Sequence, residues 1–254
     1  MTELAIFPDL RGKSVYITGG GSGIGAALTD GFLAQGAKVA FIGRSDASAF
    51  VADMAEKHGQ APLFIQGDIT DMDALRTSMQ HAAEAHGPID ILVNNAANDQ
   101  RHSLEEVDEA FWEWMIAINL KAYFFACQEA ANQMGQGGAI LNFSSISYIM
   151  GNAGYPIYTA SNAGITGMTR SLARELGPRN IRVNALAPGW VLTEKQLDKW
   201  ANPKDLAAHL DRQSLKSHLA PDDIVGPTLF LCSDVSRMMT GQCMAVDGGV
   251  VVSG

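Results

Sequence analysis

A chain of 254 residues with 47% hydrophobic side chains can bury a sizeable core, as one large α/β unit or two small ones. Its net charge of −9, with no Lys/Arg block, excludes an electrostatic footprint for nucleic acid or an anionic membrane. Three scattered cysteines, Cys127, Cys232 and Cys243, form no Cys-x-x-Cys pair, and the histidines show no metal spacing, so neither a disulfide framework nor a metal site is expected.

The opening residues carry Glu3 and Asp9 around a short apolar run, Leu4 to Phe7, which does not read as a signal peptide. No apolar stretch is long enough to span a bilayer, and a cytoplasmic protein is expected. Lys13 to Thr18 then reads as a strand, Gly19, Gly20, Gly21, Gly23 and Gly25 as a tight turn, and the residues to Leu33 as a helix. A helix that starts in glycines is a phosphate site. Its first amides lack carbonyl partners, its dipole is positive there, and residues without Cβ let an anion reach the backbone.

Lys38 to Ile42 is a second, continuously apolar run, as expected of strands covered on both faces. A helix over Ala47 to His58, a strand over Leu63 to Gln66, and a helix from about Asp71 to His86 follow. Ile89 to Val93 is the fourth strand, leaving through Asn94, Asn95, Ala96 and Ala97. A long helical stretch from Leu104 to Met134, broken near its start, precedes a strand over Ala139 to Phe143 that ends at Ser144-Ser145. Tyr158 to Leu176 is helical, Ile181 to Leu186 a strand turned by Pro188-Gly189, and Lys195 to Leu219 a polar excursion. A helix over Asp222 to Cys232 and a strand over Gln242 to Val246 close the pattern. Seven strands alternating with helices predict one doubly wound parallel sheet with helices on both faces, and hence a ligand site beyond the carboxyl ends of the strands.

Four signals converge on that edge: Thr18-Gly19 to Gly25, Asn94-Asn95-Ala96, Ser145, and Tyr158 thirteen residues further on. In this order and spacing the chain resembles the short-chain dehydrogenase/reductase family over essentially its whole length. Asn119 in Ile118-Asn119-Leu120, Pro188-Gly189-x-Val191-x-Thr193 and Asp247-Gly248-Gly249 add to the match. The resemblance implies a single Rossmann-type domain over 1–254, with 190–219 as a lid over the substrate. Hydride transfer from an alcohol needs a group to take the hydroxyl proton, and Tyr158 is the candidate. The resemblance implies that Ser145 holds the substrate oxygen and that Asn119 holds a water leading to solvent.

Two positions depart from the family. Its lysine one helical turn after the tyrosine is Asn162 here, which can hydrogen-bond the nicotinamide ribose but supplies no charge to lower the Tyr158 pKa. Ala97 replaces the usual glycine, tolerable if its φ is negative.

The expected dinucleotide contacts are Gly19, Gly21, Ser22, Gly23, Ile24 and Gly25 at the phosphates, and Asn95, Tyr158, Asn162, Pro188, Gly189, Val191 and Thr193 toward the nicotinamide. At the end of the second strand an acid would favour NAD. Arg44 and Ser45 stand there instead and favour NADP, with NAD as the alternative. Asp68 and Ile69 are expected at the adenine, Asp68 equally a helix cap.

Asn95 to His102, Ile6 to Leu10 and Trp190 to Trp200 resemble segments of bacterial sugar dehydrogenases of the family, which oxidise xylose, arabinose or galactose at C1. A monosaccharide suits Asn98, Asp99, Ser147 and Asn152 beside Tyr148, Tyr155 and Trp190, with Ser145 and Tyr158 at the reacting carbon. Asn98 and Asp99 serve equally to make a turn, and His102 reads as a structural hydrogen-bonding residue rather than a base. Two other readings remain open: a carbonyl reductase of the 3-oxoacyl-thioester type, and a binding protein that holds NADP without turnover. Helices beginning near Leu104 and Tyr158, with Ala160, Ala163, Gly164 and Gly167, together with the chain terminus, match the family's assembly faces and imply a homotetramer.

Overall fold

The computed structural model describes residues 5–252; Glu3, Leu4 and the last two residues, where an assembly contact was expected, lie outside them. Strand β1 (Ser14–Thr18) enters helix α1 (Gly23–Ala34), and β2 (Lys38–Gly43), α2 (Ser48–His58), β3 (Leu63–Gln66) and α3 (Met72–His86) complete the first half. The second half runs β4 (Ile91–Asn94), α4 (Glu109–Ile116), a π-helical turn (Ala117–Lys121), α5 (Ala122–Gln133), β5 (Gly138–Phe143), α6 (Ser147–Met150) and α7 (Pro156–Leu176). After it come β6 (Ile181–Pro188), α8 (Glu194–Lys199), α9 (Pro203–Arg212), α10 (Asp222–Cys232) and β7 (Cys243–Val246).

All seven strands are parallel, in the order β3-β2-β1-β4-β5-β6-β7. The alternation along β1 sorts its side chains: Val15 and Ile17 join the core beneath α1, α2 and α10, whereas Tyr16 points to the core beneath α3, α5 and α7. Both faces are therefore apolar, which is why the strands read as continuous hydrophobic runs. The order reverses between β1 and β4, so their carboxyl ends diverge and leave a crevice.

One expectation needs correction, the cap of α3, and two others gain their detail. The stretch from Leu104 to Met134 is broken near its start, as expected: residues 104–108 are irregular, with Leu104 82% exposed, and α4 starts where the Asp108 side chain accepts from the Phe111 amide at 2.8 Å. Within that stretch the wide turn at Ala117–Lys121 holds Asn119, a register change that hydrophobic spacing does not reveal. The cap of α3 is Asp71, accepting from the Asp73 and Ala74 amides, while Asp68 Oδ1 holds Thr70 instead. The polar excursion is two short helices, α8 and α9, each capped by its own side chain, Thr193 and Asn202.

Candidate active site

The crevice opens into a cavity of about 1410 Å³. Ligand pockets usually span about 300–1,000 Å³, so this one has room for a dinucleotide and a second small molecule. Every residue assigned above to cofactor, catalysis or substrate lines it, except Tyr148 and Asp247-Gly248-Gly249. Tyr148 is turned away by the α6 helical turn, with its hydroxyl 3.7 Å from Cys243 Sγ.

At the phosphate end, Gly19 has φ +72°, and a Cβ on Gly25 would lie 1.9 Å from the Gly19 carbonyl oxygen. Only glycine at both places lets the turn fold back on α1. Asn95 fixes that turn from β4: its side-chain amide donates to the carbonyls of Thr18 and Gly19, both at 3.1 Å, and its backbone amide donates to Thr18 Oγ1 at 2.9 Å. Ser22 makes no side-chain cap and the first turn of α1 carries no acid, so the amides there are free for an anion. Ala97 has a negative φ, since Asn180 is the only non-glycine with positive φ among the described residues, and its methyl is unstrained.

Beyond β2 the Arg44 guanidinium is largely exposed, 3.8 Å from Asp68. A second carboxylate reaches this end, Asp46, and its Oδ1 accepts from the Ser48 amide and hydroxyl.

At the opposite end, Ser145 follows β5 and Tyr158 sits in the first turn of α7. The Ser147 amide donates to Ser145 Oγ at 3.2 Å, and the Ser145 hydroxyl also pairs with the Tyr158 phenol. Burial pushes the half-buried Tyr158 phenol up to about 12, and the Asp99 charge adds to this, against hydrogen bonds from Ser145 and Asn162 that lower it. No cation contributes. Asn162 is 3% exposed and one of its amide protons is committed to the Tyr158 carbonyl at 2.8 Å.

Asn119 is engaged on all sides: it accepts from the Asn98 amide at 2.8 Å and donates to the carbonyls of Asn98 and Met115 at 3.0 and 2.9 Å. Its side chain thus ties the loop after β4 to the π-helical turn. That loop divides its labour. Asn98 Oδ1 closes a turn onto the Gln100 amide, whereas Asp99 crosses to α8 and accepts from Lys195 at 2.8 Å and Gln196 at 2.6 Å. Burial alone would raise the Asp99 carboxyl, but Lys195 and Gln196 outweigh it and hold the group below the ordinary carboxylate value. His102 donates from Nδ1 to the Gln100 carbonyl and accepts the Ile157 amide at Nε2, 3.3 Å, so it caps the helix that carries Tyr158.

The substrate end is aromatic and polar together. Tyr155, Trp190 and Trp200 line it, the Arg101 guanidinium lies 4.1 Å from the Tyr155 ring centre and 5.6 Å from that of Trp200, and Trp190 donates to Gln196 at 2.9 Å. Four buried polar atoms of cavity-lining residues have no partner among the described residues: the Tyr123 hydroxyl, Ser147 Oγ, Trp200 Nε1 and His209 Nε2. Each such atom costs roughly 1–3 kcal/mol while it lacks a partner. Of these, the sequence had pointed to Ser147 alone. Trp200 follows α8 and His209 lies on α9, in the polar excursion, where no periodicity aims a side chain. Tyr123 does have a signal, its place one helical turn after Asn119.

Glycines that admit an anion at a helix start, and a serine and tyrosine at the far end of the same cavity, define a dinucleotide-dependent oxidoreductase. A family model described as "Enoyl-(Acyl carrier protein) reductase" matches residues 19–251. The "Probable galactose dehydrogenase GalD" of Rhizobium meliloti is 48% identical over 96% of this chain and 97% of its own. The D-xylose 1-dehydrogenase of Caulobacter vibrioides is 42% identical over 96% and 98%. A blue fluorescent protein from a metagenomic library, solved in complex with NADPH, superposes with a TM-score of 0.89 at 36% identity, covering 96% of this chain and 100% of that one. The chain belongs to the short-chain dehydrogenase/reductase family and is an NAD(P)-dependent oxidoreductase. No helix among the described residues is long and apolar enough to cross a membrane.

Proposed function

We propose that the protein oxidises a monosaccharide at C1 to its lactone, with NADP as the preferred cofactor. The observation that carries this reading is one continuous cavity, with Ser145 and Tyr158 between a phosphate cradle and a polar, aromatic chamber. Galactose and xylose dehydrogenases among the relatives support the substrate class. The dinucleotide, when bound, supplies the hydride acceptor. Its pyrophosphate fits Gly19 to Gly25, its adenosine fits Asp68 and Ile69, and a 2′-phosphate fits Ser45 and the exposed Arg44, which would turn from Asp68.

The residues of this chain then do the proton chemistry. Ser145 donates to the C1 oxygen and fixes it; the Tyr158 phenolate takes the hydroxyl proton as charge leaves that oxygen. The sugar's apolar face fits Tyr155 and Trp190, and its hydroxyls fit Ser147 and Asn152. The segment 190–219 acts as a lid, latched by Asp99 to Lys195 and Gln196. Trp112 and Phe124, 45% and 44% exposed on α4 and α5, and the small residues of α7 are the faces of a homotetramer.

The test is direct. Purified protein is given NADP or NAD with a panel of aldopentoses and aldohexoses, from about pH 6 to 10 to cover the titration of its acid and base. Reduced cofactor with at least one aldose, and more with NADP, is expected; none on any sugar rejects the reading. The absent charge at Asn162 favours one second reading, a protein that binds NADP without turnover, which the same experiment separates when binding is scored beside reduction.

A further inference from the structure

Asp247-Gly248-Gly249 stays outside the cavity, yet it follows β7 and so leaves the sheet at the same edge as the site. The aspartate holds the turn together: Asp247 Oδ1 accepts from the Gly249 amide at 2.9 Å and Oδ2 from the Val251 amide at 2.8 Å. Gly248 and Gly249 have φ of +65° and +83°, in the left-handed region that favours glycine. Both of their carbonyls are taken by one distant segment. The Leu215 amide donates to Gly248 at 2.8 Å, and Ser214 Oγ donates to Gly249 at 3.0 Å. The approach leaves no room for a side chain: a Cβ on Gly248 would lie 2.4 Å from Gln213 Nε2, and one on Gly249 2.7 Å from Ser214 Oγ.

That segment is the carboxyl end of α9. The helix lays Asp205, His209 and Arg212 along the cavity, and His209 meets the Trp190 ring edge-on at 5.4 Å. None of its residues is buried, so core packing does not fix its place. Its last turn does. Lys216 Nζ donates to the carbonyls of Leu210, Asp211 and Gln213 at 2.9, 3.0 and 2.6 Å, which satisfies the helix end and brings a cation to the negative end of its dipole. Gln213, 2% exposed, pins the turn that follows by donating from Nε2 to the carbonyls of Leu215 and Ser217. Residues 213–217 thus form one knot at the end of α9, tied to the sheet through Gly248 and Gly249.

We propose that Asp247-Gly248-Gly249 is a clasp for α9, in which Gly248 and Gln213 are positioning residues that seat His209 and Arg212 against the substrate chamber and act on substrate binding rather than on the dinucleotide. The inference rests on the reading that a sugar occupies that chamber. It assigns neither residue a part in proton or hydride transfer.

Gly248→Ala sets a methyl against Gln213 in a left-handed backbone, Gln213→Ala removes the pin, and the double variant removes the side chain that the methyl meets. Lys216→Met, at an exposed position, loosens the same knot without touching the core. Each is compared with the parent, reduced dinucleotide present, by limited proteolysis within 203–217, by sugar KM and kcat, and by dinucleotide affinity from nicotinamide fluorescence. In the single variants cleavage is expected to quicken about tenfold and the sugar KM to rise about tenfold with kcat within about twofold, the pattern of lost substrate binding. Dinucleotide affinity is expected to stay within about twofold of the parent. The KM effect of the double variant is expected to fall below the product of the two single effects, because the two changes share one contact. Unchanged cleavage and KM across the single variants overturns the proposal, as does a double effect equal to that product. Dinucleotide affinity and Tm that fall in step with the KM change also overturn it, by making the turn a general support of the fold. A parent that turns over no aldose overturns the sugar reading instead, and cleavage within 203–217 then decides the clasp.

Discussion

Tyr158 and Asn162 stand one turn apart on α7, and the charge missing between them dominates the chemistry. A phenol held at about 12 by burial and by Asp99 is almost wholly protonated near neutrality, and sugar oxidation needs the phenolate. The rate should therefore climb with pH throughout the usable alkaline range. An Asn162→Lys variant places an ammonium beside the phenol, stabilises the charged form, and is expected to lower the apparent pKa by about 1–3 units. At pH 8 its turnover should exceed the parent's by about tenfold or more, a unit of pKa being a factor of ten in phenolate. Superimposable pH–rate profiles would show that Asn162 is electrostatically neutral in this site. At the other end of the cavity, Arg44 is bound only by a 3.8 Å approach to Asp68 and is free to turn toward a phosphate. Arg44→Ala is expected to weaken NADPH by about 10–100-fold, the loss of a charge-assisted contact, and NADH by less than threefold. Equal losses for both cofactors, measured by titration, would count against NADP preference.

Elements decide whether these residues meet. Asn119 is legible as a candidate from its local pattern, but its use is not. The π-helical turn rotates its amide toward the loop after β4, where it holds Asn98 by both backbone groups. His102 gives the same lesson: its tautomer and its cap on Ile157 depend on two loops that are more than fifty residues apart in sequence. The lid depends on Asp99 in the same way. Asp99→Asn removes the ion pair to Lys195 and is expected to raise the sugar KM about fivefold, roughly 1 kcal/mol for a partly exposed pair. Proteolysis within 190–219 should quicken in parallel. Because the folded Asp99 value is depressed, its contribution is present above the unfolded value near 3.9 and is lost as pH falls below it. Lid cleavage in the parent should therefore accelerate only below about pH 4, and the variant should lack that step.

At the scale of the whole molecule, both faces of the sheet are covered within the chain, yet Trp112 and Phe124 remain open on adjacent helices. Phe124 packs edge-on against Phe125, 5.5 Å between ring centres. Sedimentation velocity is expected to find a tetramer for the parent and smaller species for Phe124→Glu, since a buried unpaired carboxylate costs several kcal/mol in an apolar interface. A monomeric parent would remove the assembly reading, and a tetrameric variant would move the interface elsewhere.

The sequence by itself determined the sheet, the phosphate turn, and the serine and tyrosine, because each rests on local rules: apolar runs buried on both faces, glycine where Cβ has no room, and spacing along one helix. It also exposed the missing charge at Asn162, a matter of residue identity alone. Only the tertiary structure decided which polar groups are left without partners. Asp99 goes to the lid and Asn98 to a turn, although both were equal candidates for the sugar. Trp200 and His209 line the cavity unannounced. Hydrogen-bond satisfaction depends on everything packed around an atom, and neighbours that come from distant segments have no period in the chain.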